Sequence, residues 1–212
     1  MDITDFTGEI RAGIDESGKG DVFGSLIIAG AIVLPEQEEM LKENKIRDSK
    51  MISPNVIKKL ALILKKELIT SVVMIGPEKY NQLYSRMGNM NLILGWGHKT
   101  VISNLLQKKR FPEAISDRFS KKERIDVSAL DVQLYQFEKG EREVSVAAAS
   151  ILARAAFLDS MDRMSAKFDM EFPKGAGPQV NDALLNFTSK YSLEQLHQVA
   201  KINFKNVKNI WS

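Results

Sequence analysis

Two short apolar segments of this chain end in carboxylates, and no other feature restricts its fold as tightly. Ala12-Gly13-Ile14 runs straight into Asp15 and Glu16, just ahead of a turn dense in glycine at Gly18, Gly20 and Gly24. Ala114-Ile115-Ser116 ends in Asp117 in the same way. Such acids sit at strand ends, and in α/β sheets the ends of strands are where ligands gather. If the two strands lie side by side, Asp15 and Asp117 come within reach of a shared divalent cation, and hard carboxylate oxygens suit Mg²⁺ or Mn²⁺. Neighbouring strand residues point to opposite faces, so Glu16 joins that cluster only if the strand bends, which the glycines permit. On spacing alone, each acid serves equally well as a strand terminator in solvent.

The surrounding pattern predicts a mixed sheet flanked by helices. Residues 9–16 and 26–34 read as an antiparallel strand pair, and Ser53-Pro54 opens a helix that continues to about Glu67. A third strand follows at 68–75. Residues 77–107 are helical but interrupted at Gly88, Gly95 and Gly97, which predicts two helices. Short strands are expected at 114–117 and 131–137, a long alanine-rich helix at 144–168, and helix again over 180–202. Strands followed by alternating strands and helices indicate an α/β layer arrangement. The run Pro173 to Pro178, with Gly175 and Gly177, marks a joint between a sheet domain (1–172) and a C-terminal helical extension (173–212).

Composition removes several chemistries. There is no cysteine, so disulfides, thiolate metal sites and a cysteine nucleophile are excluded together. Only His98 and His197 carry imidazoles, which leaves carboxylates as the agents of any catalysis; His98, on a glycine-bounded helix, reads as a satisfied packing residue ahead of a proton shuttle. No uninterrupted apolar run approaches a bilayer span and the N-terminus is acidic, so a cytoplasmic protein without a membrane anchor is expected. A formal charge of +3 permits a polyanionic partner without demanding one. Basic clusters at Lys65-Lys66, Lys108 to Arg110, Lys121 to Arg124 and Lys201, Lys205 and Lys208 read individually as solvated helix ends or loops, with phosphate contact as the minority role. Nothing calls for an obligatory protein partner.

Gly13 through Gly20 comes close to a phosphate-binding P-loop. It fails where that loop needs Ser or Thr after the lysine, since Gly20 stands there. Asp15 and Glu16 would also set two negative charges among the phosphates.

The stretch Asp15-Glu16-Ser17-Gly18-Lys19-Gly20-Asp21-Val22-Phe23-Gly24 resembles the opening signature of type 2 ribonucleases H. Ser17 and Lys19 look like the ribonuclease HIII form, where ribonuclease HII usually has alanine and arginine. Further resemblances follow in order along the chain: Asp48-Ser49-Lys50, Asn89 to Leu92 with Gly97-His98, Ser116 to Phe119, Ala147 to Arg154, and Pro173 to Gly177. The departures are Ser25, where ribonuclease HIII usually has proline, and the 14 residues ahead of Asp15, where it normally carries an N-terminal substrate-binding domain.

The resemblance implies a ribonuclease H-like fold and hydrolysis of the RNA strand of RNA–DNA hybrids with Mg²⁺ or Mn²⁺, leaving 3′-hydroxyl and 5′-phosphate ends. It implies Asp15, Glu16 and Asp117 as catalytic metal ligands, the backbone of Gly18, Lys19 and Gly20 as the reader of the 2′-hydroxyl, and Lys50, Ser150 and Arg154 as substrate contacts. RNA stretches rather than lone ribonucleotides are the expected target, because no counterpart of the tyrosine used by ribonuclease HII is found near 173–178. The fourth acid stays open. Ribonuclease HII places it eight residues after the matching serine, which here is Leu158; Asp159 comes next but lies roughly 180° around the helix from Ser150 and four residues before Arg163, a surface-pair spacing. Some ribonuclease HIII relatives set it shortly after the third acid, where Lys121 and Lys122 precede Glu123. The competing reading is a non-catalytic hybrid-binding module of the same fold.

Overall fold

The computed structural model describes residues 6, 9–44, 46, 52–120 and 125–211. Five strands, β1 (Arg11–Ser17), β2 (Leu26–Val33), β3 (Ile69–Ile75), β4 (Glu113–Asp117) and β5 (Gln133–Phe137), form one sheet in the order β3-β2-β1-β4-β5. The first three pair antiparallel, whereas β4 and β5 join parallel to β1. This is the mixed sheet that the element pattern predicts.

Every residue of β2 is buried, because helices cover both faces of the sheet there. Ile27, Ala29, Ala31 and Val33 point into one core with α2 (Pro54–Glu67) and α5 (Val144–Phe168). Leu26, Ile28 and Ile32 point into the other with α3 (Pro77–Met87) and α4 (Met90–Lys108). Gly88, in the left-handed conformation, caps α3 and separates it from α4. Gly95 and Gly97, in contrast, lie inside α4, where Gly97 lets the helix pass close over Ile28: a β-carbon there would stand 2.6 Å from Ile28 Cδ1.

The C-terminal region departs from the single helical stretch that its pattern suggests. Helix α6 (Pro178–Lys190) and a 3-10 turn (Leu193–Gln198) end before Val199, and Ala200 bridges antiparallel to Phe23. Lys201 is fully buried against the loop that follows β1, so it belongs to no solvated basic face. Two short helices, α1 (Glu38–Glu43) and α7 (Lys205–Trp211), carry too few residues for a clear periodic stripe. Val180, Leu184, Phe187, Leu196 and Val207 share the apolar cluster that holds α5.

Helix α5 is the core helix. By length and hydropathy it would pass for a membrane span, which a count of uninterrupted apolar residues overlooks because Arg154 and Asp159 break the run; 78% of its most apolar window is buried in the protein. Its first turn lies directly on β1. A β-carbon on Gly13 would sit 2.0 Å from the Ser145 carbonyl carbon and 2.2 Å from the Val146 nitrogen. Glu143 caps the helix by accepting from the Ser145 and Val146 backbone amides and from the Ser145 hydroxyl. The buried Arg11 guanidinium, two residues before Gly13, pairs with both Glu143 (2.6 Å) and Glu38 (2.7 Å). Strand and helix are thus joined by sterics and by charge at one point.

Gly13→Ala should therefore cost ~3 kcal/mol or more, at the upper end of overpacking effects, and lower the melting temperature by roughly 6–12 °C for a chain of this size. Gly30→Ala, whose β-carbon meets Val101 Cγ1 (2.6 Å), Leu105 Cδ1 (2.9 Å) and the Gly13 carbonyl oxygen (3.2 Å), should cost less, because its two shortest contacts are with side chains and not with backbone. Calorimetric melting of the two variants checks the order.

Candidate active site

The parallel register pairs Gly13 with Ile115 and Ile14 with Ser116, so the next residue on each strand is Asp15 and Asp117. Strand alternation gives both the face of Gly13 and Ile115, the face covered by α5. Glu16 points to the opposite face, towards α4. All three nevertheless border one cavity of about 330 Å³, together with Asp21, Glu141, Ser150, Arg154 and Lys174. Phe157 and Leu158 form its apolar wall.

Asp15 is deeply set, and its Oδ1 accepts the Glu16 amide at 2.8 Å. Burial drives its carboxyl up to about 8, helped by the charges of Glu16 and Asp117; hydrogen bonds from the Ser150 hydroxyl and the Glu16 amide only partly offset this. Burial also acts on Glu16, but the hydrogen bond and charge of His98, and then Lys19, outweigh it and hold that carboxyl below the ordinary glutamate value. Adjacent acids are thereby pushed in opposite directions.

His98 accounts for much of that contrast. It is fully buried in α4, its Nε2 lies 3.2 Å from Glu16 Oε2, and its ring packs on Phe119 at 5.0 Å between centroids. It packs, but among the described residues its Nδ1 finds no hydrogen-bond partner. Lys19 reaches Glu16 Oε1 at 3.6 Å and donates to the Phe119 carbonyl at 3.2 Å.

Asp117 is held from the other side. The Gly140 amide donates to its Oδ1 at 2.9 Å, and a β-carbon on Gly140 would come within 2.8 Å of the Asp117 Cα. That approach brings the short turn Gly140–Arg142, and with it Glu141, onto the cavity.

The other residues singled out from the sequence fall as follows. Ser150 and Arg154, one turn apart on α5, both line the cavity, and the Ser150 hydroxyl is turned to Asp15. Gly18, at φ +87°, and Gly20, with open space where a β-carbon would be, form the turn between Glu16 and Asp21. Lys50, with Asp48 and Ser49, lies outside the described residues. Asp159 pairs on the surface with Lys58 of α2 at 3.0 Å, in place of Arg163, and Leu158 occupies the cavity wall beside it. Glu141, Asp21 and Lys174 also line the cavity, beyond the residues that the sequence marks out. Asp21 stands in the quoted signature and Lys174 in the quoted loop; for Glu141 the only signal is its glycine neighbour, which acquires meaning once that glycine is seen against Asp117.

Among the described residues, no three acidic or imidazole side chains already converge as a closed metal site would require. The donor set still fits a hard divalent cation. Asp15, Glu16, Asp21, Asp117 and Glu141 offer only oxygen around a shared cavity, and a buried carboxyl pressed by two like charges gains from a nearby positive charge.

A five-stranded sheet in this order, with acids at the tips of adjacent parallel strands and a helix laid across them, defines a protein of the ribonuclease H-like fold. Comparisons with known proteins narrow the class. The Ribonuclease HII family matches over residues 12–207. Ribonuclease HIII of Chlamydia pneumoniae is 41% identical over 211 residues, covering 95% of this chain and 70% of that protein. Ribonuclease HIII of Protochlamydia amoebophila is 37% identical over 197 residues, covering 91% and 65%. Among solved structures, Bst-RNase HIII in complex with Mn²⁺ superposes with a TM-score of 0.89 at 27% identity, covering 99% of this chain and 71% of that one. Aquifex aeolicus RNase H3 gives 0.80 at 28%, covering 93% and 73%. The chain belongs to the ribonuclease HII family, a family of ribonuclease H endonucleases, and its similarity to the HIII members runs through nearly its whole length.

The raised Asp15 carboxyl has a measurable sign. Its contribution to stability is fully present below the ordinary aspartate value of 3.8 and is lost as pH rises through about 8. In metal-free buffer, Asp15→Asn should melt higher than the parent protein at pH 8, by about 2–4 °C for each kcal/mol gained, and the advantage should shrink towards pH 5. Thermal melts with a chelator present decide it; an Asp15→Asn protein that is less stable at pH 8 contradicts the assignment.

Proposed function

We propose that the protein cuts the RNA strand of RNA–DNA hybrids internally, using Asp15, Glu16, Asp117 and Glu141 as the ligands of two divalent cations, Mg²⁺ or Mn²⁺, and leaving 3′-hydroxyl and 5′-phosphate ends. The observation that carries this reading is the in-register meeting of Asp15 and Asp117 on one face of adjacent parallel strands, above a cavity lined by further carboxylates. Such cations, when bound, supply an activated water and relieve the charge that develops on the phosphoryl oxygens. The Mn²⁺ in the Bst-RNase HIII crystal structure supports this choice of ion.

The chain's own residues divide the remaining work. Ser150 and the Glu16 amide hold the Asp15 carboxylate in one orientation, and the Gly140 amide does the same for Asp117. His98 and Lys19 keep Glu16 ionised although it is buried, so it is ready to bind a cation. Arg154 and Lys174, on the cavity rim, are the charge-assisted donors for substrate phosphates. The backbone of Gly18, Lys19 and Gly20 can approach a sugar closely and read its 2′-hydroxyl, the group that separates RNA from DNA. Leu158 fills the place of an acid on α5, and Glu141 enters the cavity in its stead from the turn Gly140–Arg142 that follows β5.

The test is cleavage of a labelled RNA–DNA hybrid with Mg²⁺ or Mn²⁺. Asp117→Asn and Glu141→Gln should each lower kcat by more than about a hundredfold, beyond the ~10–100-fold cost of losing an outer partner of a metal ligand, while hybrid binding persists. Full activity in either variant removes that residue from the site. Tight hybrid binding by the parent protein with no product would instead identify a binding module.

A further inference from the structure

A lysine with no solvent exposure lies directly beneath the loop that joins β1 to β2, on its side away from solvent. Lys201 Nζ donates to the carbonyls of Asp21 and Gly24, both at 2.8 Å, and lies 3.5 Å from that of Phe23. Its backbone amide donates to the Val22 carbonyl at 2.9 Å, and the Gly24 amide donates to the Val199 carbonyl at 3.0 Å. The segment 199–202 thus grips the loop with main chain and side chain together. Asn81 of α3 fixes the same segment from behind, donating to the Ala200 carbonyl at 2.9 Å and accepting the Ile202 amide at 3.0 Å.

The grip reaches the part of the loop that faces substrate. Asp21 borders the catalytic cavity, its Oδ1 accepts the Gly175 amide at 2.6 Å, and its own amide donates to the Gly18 carbonyl at 3.4 Å. Holding the Asp21 carbonyl therefore sets where the turn Gly18-Lys19-Gly20 begins and ends. Burying a lysine is costly, and an apolar side chain of equal volume is often the more stable choice inside a protein. Burial has pushed this ammonium down to about 7, although Asp21 partly offsets it. What an apolar side chain cannot do is donate to the loop carbonyls; the lysine nitrogen stands within reach of those of Asp21, Phe23 and Gly24 together.

We propose that Lys201 is a positioning residue for sugar recognition: its buried amine clamps the loop carbonyls at residues 21–24 and so fixes the backbone of Gly18, Lys19 and Gly20 for reading the 2′-hydroxyl. This rests on the proposed role of that turn in contacting RNA. Lys201 touches neither substrate nor cation, and it acts only through the loop. Its loss shows in discrimination more than in the chemical step.

The absence of cysteine from the chain allows a clean test. Lys201→Cys introduces a single thiol, which under denaturing conditions can be alkylated to an S-aminoethyl side chain, nearly a lysine, or to an S-propyl side chain of the same length with no donor. The readout is kcat/KM on an all-RNA hybrid strand relative to a strand with one 2′-deoxynucleotide at the cleavage position. The S-aminoethyl protein should keep the parent ratio, whereas the S-propyl protein, shown folded by circular dichroism, should lose at least tenfold of it with kcat on RNA changed less than threefold. Equal ratios in the two proteins overturn the proposal. Should the S-propyl protein not refold, Asn81→Ala, which frees the segment from α3, must lower the ratio in the same direction; an unchanged ratio there also overturns it. A parent protein that cuts no hybrid at all would refute the functional reading itself, a result distinct from these.

Discussion

The first turn of α5 lies on β1 at backbone contact distance, and the site takes its shape from that meeting. No side chain other than hydrogen fits at Gly13, where the neighbouring atoms belong to the Ser145-Val146 peptide. The Arg11–Glu143 ion pair and the Glu143 cap fix the helix end at the same place. From there the helix runs on over the sheet, so that Ser150 meets Asp15 and Arg154 the cavity one turn later. A buried arginine shared by two glutamates is costly to desolvate and gives little net stability by itself. What it does here is tie the first turn of the helix to the start of β1.

Around that anchor the protein places two adjacent acids in unlike environments. Asp15 turns towards α5, where burial and like charges favour its neutral form, and Glu16 turns towards α4, where His98 and Lys19 favour its ionised form. Strand alternation makes the split unavoidable, because neighbouring side chains cannot share a face. Both still reach the cavity at the strand tips. Asp117 and Glu141 come to it from the next strand and from the turn after β5, so the acids arrive from three separate chain segments.

Much of this was legible in the sequence. Apolar runs ending in Asp15-Glu16 and in Asp117 announce strand tips, and a strand pair, helix and strand order that is mixed follows from the hydrophobic periods. The long alanine-rich helix is found with its bounds intact. What was not legible depends on through-space contacts. Glu141 looks like one more charge in a polar turn until Gly140 is seen against Asp117. Lys201 reads as part of a basic face because nothing local says that residues 199–202 leave the helix and cross the loop; that excursion is held by Asn81 and by the carbonyls at 21–24, which accept from Lys201. His98 looks like plain packing until Glu16 is found 3.2 Å away. The periodic signal carries element type well, but a buried polar group is placed by its partner, and the partner is distant in sequence.

A nuclease of this kind needs the carboxylates of neighbouring strands to hold cations together. Anomalous diffraction at the manganese edge from crystals equilibrated with Mn²⁺ addresses this directly. Anomalous density in the cavity bordered by Asp15, Asp117 and Glu141, absent from crystals of Asp117→Asn, is the predicted result. Manganese bound only elsewhere on the surface, or density unchanged by that substitution, would contradict it.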